Sequence, residues 1–115
     1  MAGGRRATGS VARGDIWLAA LDPTVGSEIR KTRPYVVVSP PEIHRFLRTV
    51  TVAPMSTGSR PAPYRIPLRF RGKEGLILLD QMRTLDKQRL VRRLGNVTPN
   101  TLRQTLAVLR EMFEE

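Results

Sequence analysis

The sequence predicts a small, mainly β domain in which a strongly bent antiparallel sheet or barrel is followed by one C-terminal helix. Short apolar and β-branched runs follow one another closely, and most are bounded by Gly or Pro. Only the last segment has helical periodicity. The 115 residues have room for one hydrophobic core but not for two.

The strand predictions rest on short apolar runs and on the prolines that end them. The predicted strands cover residues 16–21, 34–39, 49–53, 64–68, 75–80 and 91–97, with 64–68 at a sheet edge and a bulge or bend at Gly95. Residues 42–47 and 87–90 are predicted as helical turns. Thr98 and Pro99 supply an N-cap and a first-turn proline for the final helix, whose apolar positions are Leu102, Leu106, Leu109 and Phe113.

Composition limits the class of protein. Residues 1–12 are predicted to be a flexible basic arm and residues 13–115 the folded domain. No apolar run approaches the roughly 20 residues of a membrane helix, and the arm lacks the apolar stretch of a secretory signal. The chain has no Cys and one His, so thiolate chemistry and multi-His metal sites are excluded. We therefore predict a cytoplasmic protein without metal or other cofactor.

The charge predicts an anionic partner. The formal net charge is +10, and residues 43–73 contain no acidic residue but seven cations: Arg45, Arg48, Arg60, Arg65, Arg69, Arg71 and Lys73. Nucleic-acid phosphate suits such a surface. Arginines dispersed around a barrel with no continuous groove are the alternative. Trp17 and Phe46 are predicted in the core.

The segment 26–34 places one carboxylate near three cations, Glu28 beside Arg30, Lys31 and Arg33. A proline directly after Arg33 holds the arginine backbone extended and helps to aim its side chain. The loop is therefore either a phosphate clamp or a surface ion pair of little energetic weight. Spacing alone does not separate the two.

A chain with these residues has what RNA cleavage requires, because the ribose 2′-hydroxyl is an internal nucleophile. The protein then needs a proton acceptor, a cation for the charged phosphorane and a donor for the leaving 5′-oxygen. Glu28 or Asp80 suits the first role, Arg33 the second and third, and Ser56 or Thr57 can hold the phosphate. DNA lacks the 2′-hydroxyl and would not be cut in this way.

Several motifs occur together in a fixed order: Arg13-Gly14-Asp15-Ile16-Trp17-Leu18, Leu21-Asp22-Pro23-Thr24-Val25-Gly26-Ser27-Glu28, Arg33-Pro34, Pro54-Met55-Ser56-Thr57 and Leu78-Leu79-Asp80-Gln81. In this order and spacing the chain resembles the MazF/PemK (Kid) toxins of bacterial toxin–antitoxin modules from about Arg13 to its end. The resemblance implies a small SH3-like barrel of the CcdB/PemK type and a homodimer. It also implies a metal-independent, sequence-specific endoribonuclease that leaves 2′,3′-cyclic phosphate and 5′-hydroxyl ends on single-stranded RNA. A cognate antitoxin with an acidic segment would cover the same basic groove.

The resemblance also assigns residues. Arg33 stands at the family's catalytic arginine, Ser56 at its catalytic threonine, and Glu28 at an assisting carboxylate. Ser56 keeps the hydroxyl but loses the methyl group that restricts its first torsion. The expected RNA-binding residues are Arg30, Lys31, Thr57, Arg60, Arg65, Asp80 and Gln81.

One departure concerns the PemK/Kid branch. That branch has a catalytic aspartate, matched by Asp80, together with an arginine two residues earlier and a histidine before the loop glutamate. Leu78 and Ser27 stand at those two places. The arginine-plus-hydroxyl mechanism is therefore favoured over the aspartate-based one.

Two functions of other classes stay open. Gyrase-poisoning CcdB toxins share the fold and act by binding a protein, although they do not depend on an Arg-Pro loop. A plain RNA-binding module would bind RNA in a salt-dependent manner without cutting it.

Overall fold

Short strands are the most frequent element of the described chain, which in this computed structural model comprises residues 10–20 and 32–115. The strands are β1 (Asp15–Ala20), β2 (Thr32–Val37), β3 (Thr49–Ser56), β4 (Arg65–Phe70), β5 (Lys73–Leu78), β6 (Arg83–Asp86) and β7 (Leu90–Asn96). The helices are α1 (Pro41–Phe46) and α2 (Pro99–Met112), and single 3-10 turns span Leu79–Gln81 and Lys87–Arg89. The predicted mainly β fold with a C-terminal helix is confirmed.

The strands form one curled antiparallel sheet with the order β4-β5-β3-β2-β1-β7. Strand β3 lies at its centre, since it pairs with β6 through residues 49–52, with β2 through residues 52–54 and with β5 through residues 55–56. One strand therefore contacts three neighbours along its length. The sheet curls into a half-barrel around it, and the last residues of β3 reach the β4–β5 hairpin.

Both faces of the central strands are buried, which explains their continuous apolar runs. Side chains alternate between two clusters. The first contains Val11, Trp17, Ala19, Tyr35, Val37, Val50, Val52, Leu85 and Leu90. The second contains Ile16, Val36, Val38, Ala53, Ile66, Ile77, Leu79 and Val97, and is covered by side chains of α2.

Helix α2 begins as predicted. The Thr98 hydroxyl accepts from the Thr101 amide and Pro99 occupies the first turn. Leu102 and Leu109 pack on the second cluster, together with Val108. Phe113, predicted on the same apolar face, is exposed instead because the helix ends at Met112.

Packing begins at Val11, two residues before the predicted domain boundary. Val11 is buried in the first cluster, and its carbonyl accepts from Nδ1 of buried His44 at 3.1 Å. A carbonyl can only accept, so Nδ1 carries the proton of this hydrogen bond, and Nε2 lies 2.7 Å from the Ser39 hydroxyl. His44 therefore ties α1 to the start of the domain. Residues 1–9, most of the predicted basic arm, lie outside the described residues.

Three expectations about the elements are wrong in detail. Strand β6 was missed, and Asp80 lies in a 3-10 turn after β5 rather than at a strand end. Phe46 is 83% exposed, not in the core. The inward residue of α1 is His44, and a residue two positions further lies about 200° around the helix axis, on the solvent side.

No helix among residues 10–20 and 32–115 is long and apolar enough to cross a membrane.

Candidate active site at the end of strand β3

Arg33 and Ser56 lie at neighbouring ends of two paired strands. In the β2–β3 ladder Tyr35 pairs with Pro54, and continuing this register by two residues places Arg33 opposite Ser56. Residues opposite each other in an antiparallel pair project from the same face. The pairing of β2 with β3 therefore brings Arg33 to the end of β3, where Ser56 lies, although the two residues are far apart along the chain.

The guanidinium of Arg33 is held towards β3. Its Nη2 donates to the Met55 carbonyl over a long 3.4 Å, and its Cζ lies 6.0 Å from the centre of the Tyr35 ring. Arg33 has no carboxylate partner among the described ion pairs. Its charge is thus directed to the end of β3 without being neutralised there by a described residue.

The Ser56 hydroxyl is fixed by the loop that follows it. Its Oγ accepts from the Gly58 amide at 3.2 Å and from the Ser59 hydroxyl at 2.8 Å. A hydroxyl has two acceptor positions and one proton to donate. When the Ser59 hydroxyl is the donor of their shared hydrogen bond, both acceptor positions are filled and Ser56 can donate its own proton to an anion at this point.

Two surface pockets meet at Ser56 and Thr57. One, of about 400 Å³, has an apolar floor that includes Met55, Leu68 and Phe70, with Arg71 and Lys73 also in its lining. The other, of about 460 Å³, lies beside Ser59 and Arg69. Gly75 lines both, and a Cβ at this glycine would lie 2.8 Å from the Ser56 carbonyl oxygen. The glycine thus permits β5 to approach the end of β3.

The cations at this end of the sheet are set by a tight hairpin. Arg71 and Gly72 connect β4 to β5 with φ of 54° and 79°, the positive values of a two-residue turn that matches strand twist. The Arg71 guanidinium donates to the Leu94 carbonyl at 3.0 Å and lies 5.1 Å from the Phe70 ring centre. Arg45 lies on α1 and Arg48 directly before β3, whereas Ser56 is at the other end of that strand.

Arg65 and Asp80, both predicted to bind RNA, bind each other. Arg65 Nε and Nη2 donate to the two Asp80 carboxylate oxygens at 3.0 and 2.9 Å. Arg65 pairs across β4–β5 with Leu78, so it brings a guanidinium to Asp80 from the neighbouring strand. The hydrogen bond from Arg65 lowers the pKa of Asp80 below the usual range. This carboxylate is therefore a weak proton acceptor.

The Asp80→Asn variant is expected to lose an acid-sensitive part of the stability. Because the folded pKa of Asp80 is lowered, its contribution is present above about pH 4 and disappears as the pH falls through the folded value. Urea unfolding measured from pH 7 to pH 3 should show a difference in the free energy of unfolding between parent and variant that is constant at first and then shrinks. Glu74→Gln is the control, since its ion pair with Arg69 is long and exposed. A difference that grows on acidification would contradict the assignment.

The remaining predicted residues divide into two groups. Thr57, Arg60 and Gln81 are exposed near the end of β3 or in the turn after β5. Glu28, Arg30 and Lys31 lie outside the described residues. Ser59 was missed, although a serine three residues after another in a glycine-containing turn is a local signal for hydroxyl hydrogen bonding.

No group of three or more potential metal-ligating side chains lies within the described part of the chain.

Comparison with known proteins gives this geometry a context. A family described as PemK-like, MazF-like toxin of type II toxin-antitoxin system matches residues 12–113. The chain belongs to this toxin family. It is 36% identical to endoribonuclease PemK of Escherichia coli over 110 residues, which is 90% of this chain and 83% of PemK. It is 37% identical to endoribonuclease MazF of Staphylococcus epidermidis, over 73% of this chain and 75% of MazF.

Solved structures of the family have the same fold. The MazF in a MazE-MazF crystal structure from Deinococcus radiodurans superposes with a TM-score of 0.74 at 22% identity, over 89% of this chain and 94% of that one. An endoribonuclease from a mycobacterial species, solved with its cognate antitoxin, gives a TM-score of 0.73 at 23% identity over 89% and 93% of the two chains. The predicted PemK-type architecture of this toxin is therefore confirmed.

Proposed function

We propose that this toxin is a metal-independent, sequence-specific endoribonuclease that cleaves single-stranded RNA. The observation that carries the proposal is the hydrogen bond from Arg33 Nη2 to the Met55 carbonyl, which brings the guanidinium to the residue directly before Ser56. A guanidinium and a hydroxyl donor at one point can hold a phosphate and stabilise the charge that it gains in the transition state. The PemK and MazF relatives, both named endoribonucleases, support the same reaction.

The reaction forms a bond from the ribose 2′-oxygen to phosphorus and breaks the bond from phosphorus to the 5′-oxygen. The 2′-hydroxyl proton goes to a base, for which we assign Glu28. Arg33 donates hydrogen bonds to the phosphorane and to the leaving 5′-oxygen, which takes a proton from solvent. Ser56 donates to a phosphoryl oxygen. The products are a 2′,3′-cyclic phosphate and a 5′-hydroxyl.

Asp80 is not assigned as the base. Both of its carboxylate oxygens accept from Arg65, and this guanidinium lowers the Asp80 pKa. A base that holds its charge so strongly takes a proton poorly at neutral pH. Arg65, Asp80 and Gln81 are instead assigned to RNA contact, with Thr57 and Arg60 of the adjoining loop and with Arg30 and Lys31.

The proposed partner is an antitoxin with an acidic segment, which competes with RNA for the cations around Ser56. The net charge of +10 favours an anionic competitor, and the structural relative solved with its cognate antitoxin supports the idea. We further propose a homodimer that acts in the cytoplasm. Light scattering of the purified toxin measures its mass in solution and so tests the homodimer.

The experiment is incubation of the purified toxin with a long single-stranded RNA, followed by mapping of the cleavage ends. We expect cuts at a recurring sequence, 5′-hydroxyl ends, unchanged rates in EDTA, and no cleavage of DNA of the same sequence. Loss of activity in EDTA would overturn the metal-independent mechanism. Salt-dependent RNA binding without cleavage products would favour the RNA-binding module. Inhibition of gyrase supercoiling without RNA cleavage would favour the CcdB-like function.

A further inference from the structure

We propose that Ser59 is a positioning residue that fixes the catalytic hydroxyl of Ser56. The proposal rests on the proposed function, in which Ser56 contacts the phosphate. Ser59 does not itself need to touch RNA. It acts through its hydrogen bond to Ser56 Oγ, which at 2.8 Å is shorter than the bond from the Gly58 amide.

The need for such a residue follows from the chemistry of serine. A serine side chain can occupy three staggered positions about its first torsion, whereas a β-branched threonine is restricted by its methyl group. Ser56 ends β3, and only one further residue of its loop, Gly58, is hydrogen-bonded to its Oγ. Without Ser59, one acceptor position would be free and the hydroxyl could rotate.

The bond from Ser59 also bears on the direction of donation. The Gly58 amide can only donate, so it occupies one acceptor position of Ser56 Oγ; in the arrangement in which the Ser59 hydroxyl donates as well, both acceptor positions are used and Ser56 keeps its own proton for another acceptor. No acceptor within residues 10–20 and 32–115 takes this proton among the described hydrogen bonds. The hydroxyl is thus arranged beforehand to donate to a phosphoryl oxygen, which is how fixed donors lower a barrier.

The alignment of β3 with β5 supports a fixed geometry at this point. Ser56 pairs with Leu76 across the two strands, which holds the Ser56 backbone in register with β5, and the two backbones approach closely at Gly75, where an added Cβ would lie 2.8 Å from the Ser56 carbonyl oxygen. With the backbone held in this way, the first torsion of Ser56 is the freedom that Ser59 removes.

The test is a double-mutant cycle with Ser59→Ala, Ser56→Thr and the combination of both, measured as single-turnover cleavage of a defined RNA. Ser59→Ala is expected to lower the maximal rate about three- to tenfold, the scale of one hydrogen bond, with KM unchanged. In the Ser56→Thr background the same change should cost less than about twofold, because the threonine methyl supplies the restraint. Ser59→Thr keeps the hydroxyl and should restore the rate.

Each outcome decides the matter. Equal losses from Ser59→Ala in the serine and threonine backgrounds would show that Ser59 acts independently of Ser56, and would overturn the proposal. So would a rise in KM alone, which is the signature of direct RNA binding. Ser56→Ala distinguishes failure of the proposed function from failure of the role of Ser59. If Ser56→Ala cuts RNA at the parental rate, the proposed role of Ser56 is wrong. If Ser56→Ala is inactive but Ser59→Ala is fully active, only the role of Ser59 is wrong. Thermal unfolding confirms that every variant is folded.

Discussion

Replacing Arg33 with alanine is expected to lower the rate of RNA cleavage by about 10²- to 10³-fold, the effect of losing one preorganised donor to a charged transition state. The fold should tolerate the change, because Arg33 is half-buried and its described contacts are a 3.4 Å hydrogen bond and a distant ring. The cleavage rate of Arg33→Lys should lie between those of the parent and Arg33→Ala, since lysine keeps the charge but not the planar guanidinium. Rates at saturating RNA, with the midpoint of thermal unfolding, measure both effects.

The matched control is Arg45→Ala. Arg45 is equally charged but exposed on α1, and α1 precedes the start of β3, whereas Ser56 is at the end of that strand. We expect its maximal rate to equal that of the parent. If a folded Arg33→Ala protein cuts RNA at the parental rate, the mechanism is wrong. A change in KM alone would make Arg33 a binding residue rather than a catalytic one.

Replacing Asp15 with alanine is expected to cause the largest loss of stability, about 1–3 kcal/mol, because the buried indole N–H of Trp17 loses its acceptor. Asp15 is 4% exposed. Its Oδ2 accepts from the Ala12 amide at 2.9 Å and from Trp17 Nε1 at 3.3 Å, while Oδ1 lies 3.2 Å from Arg93 Nε. Chemical denaturation of the purified toxin measures the free energy of unfolding.

Glu74→Ala is the control for removal of a carboxylate. Glu74 is exposed and its distance to Arg69 is 3.8 Å, so its loss should change the stability by less than about 1 kcal/mol. Asp15→Asn keeps an acceptor oxygen, so its loss of stability should lie between those of Glu74→Ala and Asp15→Ala. An Asp15→Ala protein as stable as Glu74→Ala would show that the Asp15 hydrogen bonds contribute nothing net.

Local signals in the sequence were sufficient for most of the fold. The apolar runs around Trp17 and Val36 and the Thr98-Pro99 start of α2 specify elements through short-range chemistry, and these were predicted. Strand β6 was not, because Arg83 to Asp86 contains only one buried residue, Leu85, and is a strand by virtue of its pairing with β3. Phe46 was misplaced because composition gives no indication of which side of a short helix faces the core.

The site was predictable in its components but not in its contacts. Arg33 and Ser56 were identified from motifs, and the contact of Arg33 with the Met55 carbonyl at the end of β3 depends on a strand pairing that no spacing along the chain reveals. The partnership of Arg65 with Asp80 joins two residues predicted separately as RNA contacts. Ser59 was overlooked because its importance depends on where one hydroxyl points, and this is a matter of three-dimensional geometry.

The loop between Ser56 and Arg65 is anchored mainly through its main chain. Arg65 Nη1 donates to the Arg60 carbonyl, its amide donates to the Ala62 carbonyl, and the Leu79 amide donates to the Tyr64 carbonyl. Carbonyl oxygens are present whatever side chain is attached. Within the proposed function, side chains such as Arg60 and Tyr64 can change while these main-chain hydrogen bonds remain, so the proposed RNA-contacting surface of this loop can vary independently of the end of β3.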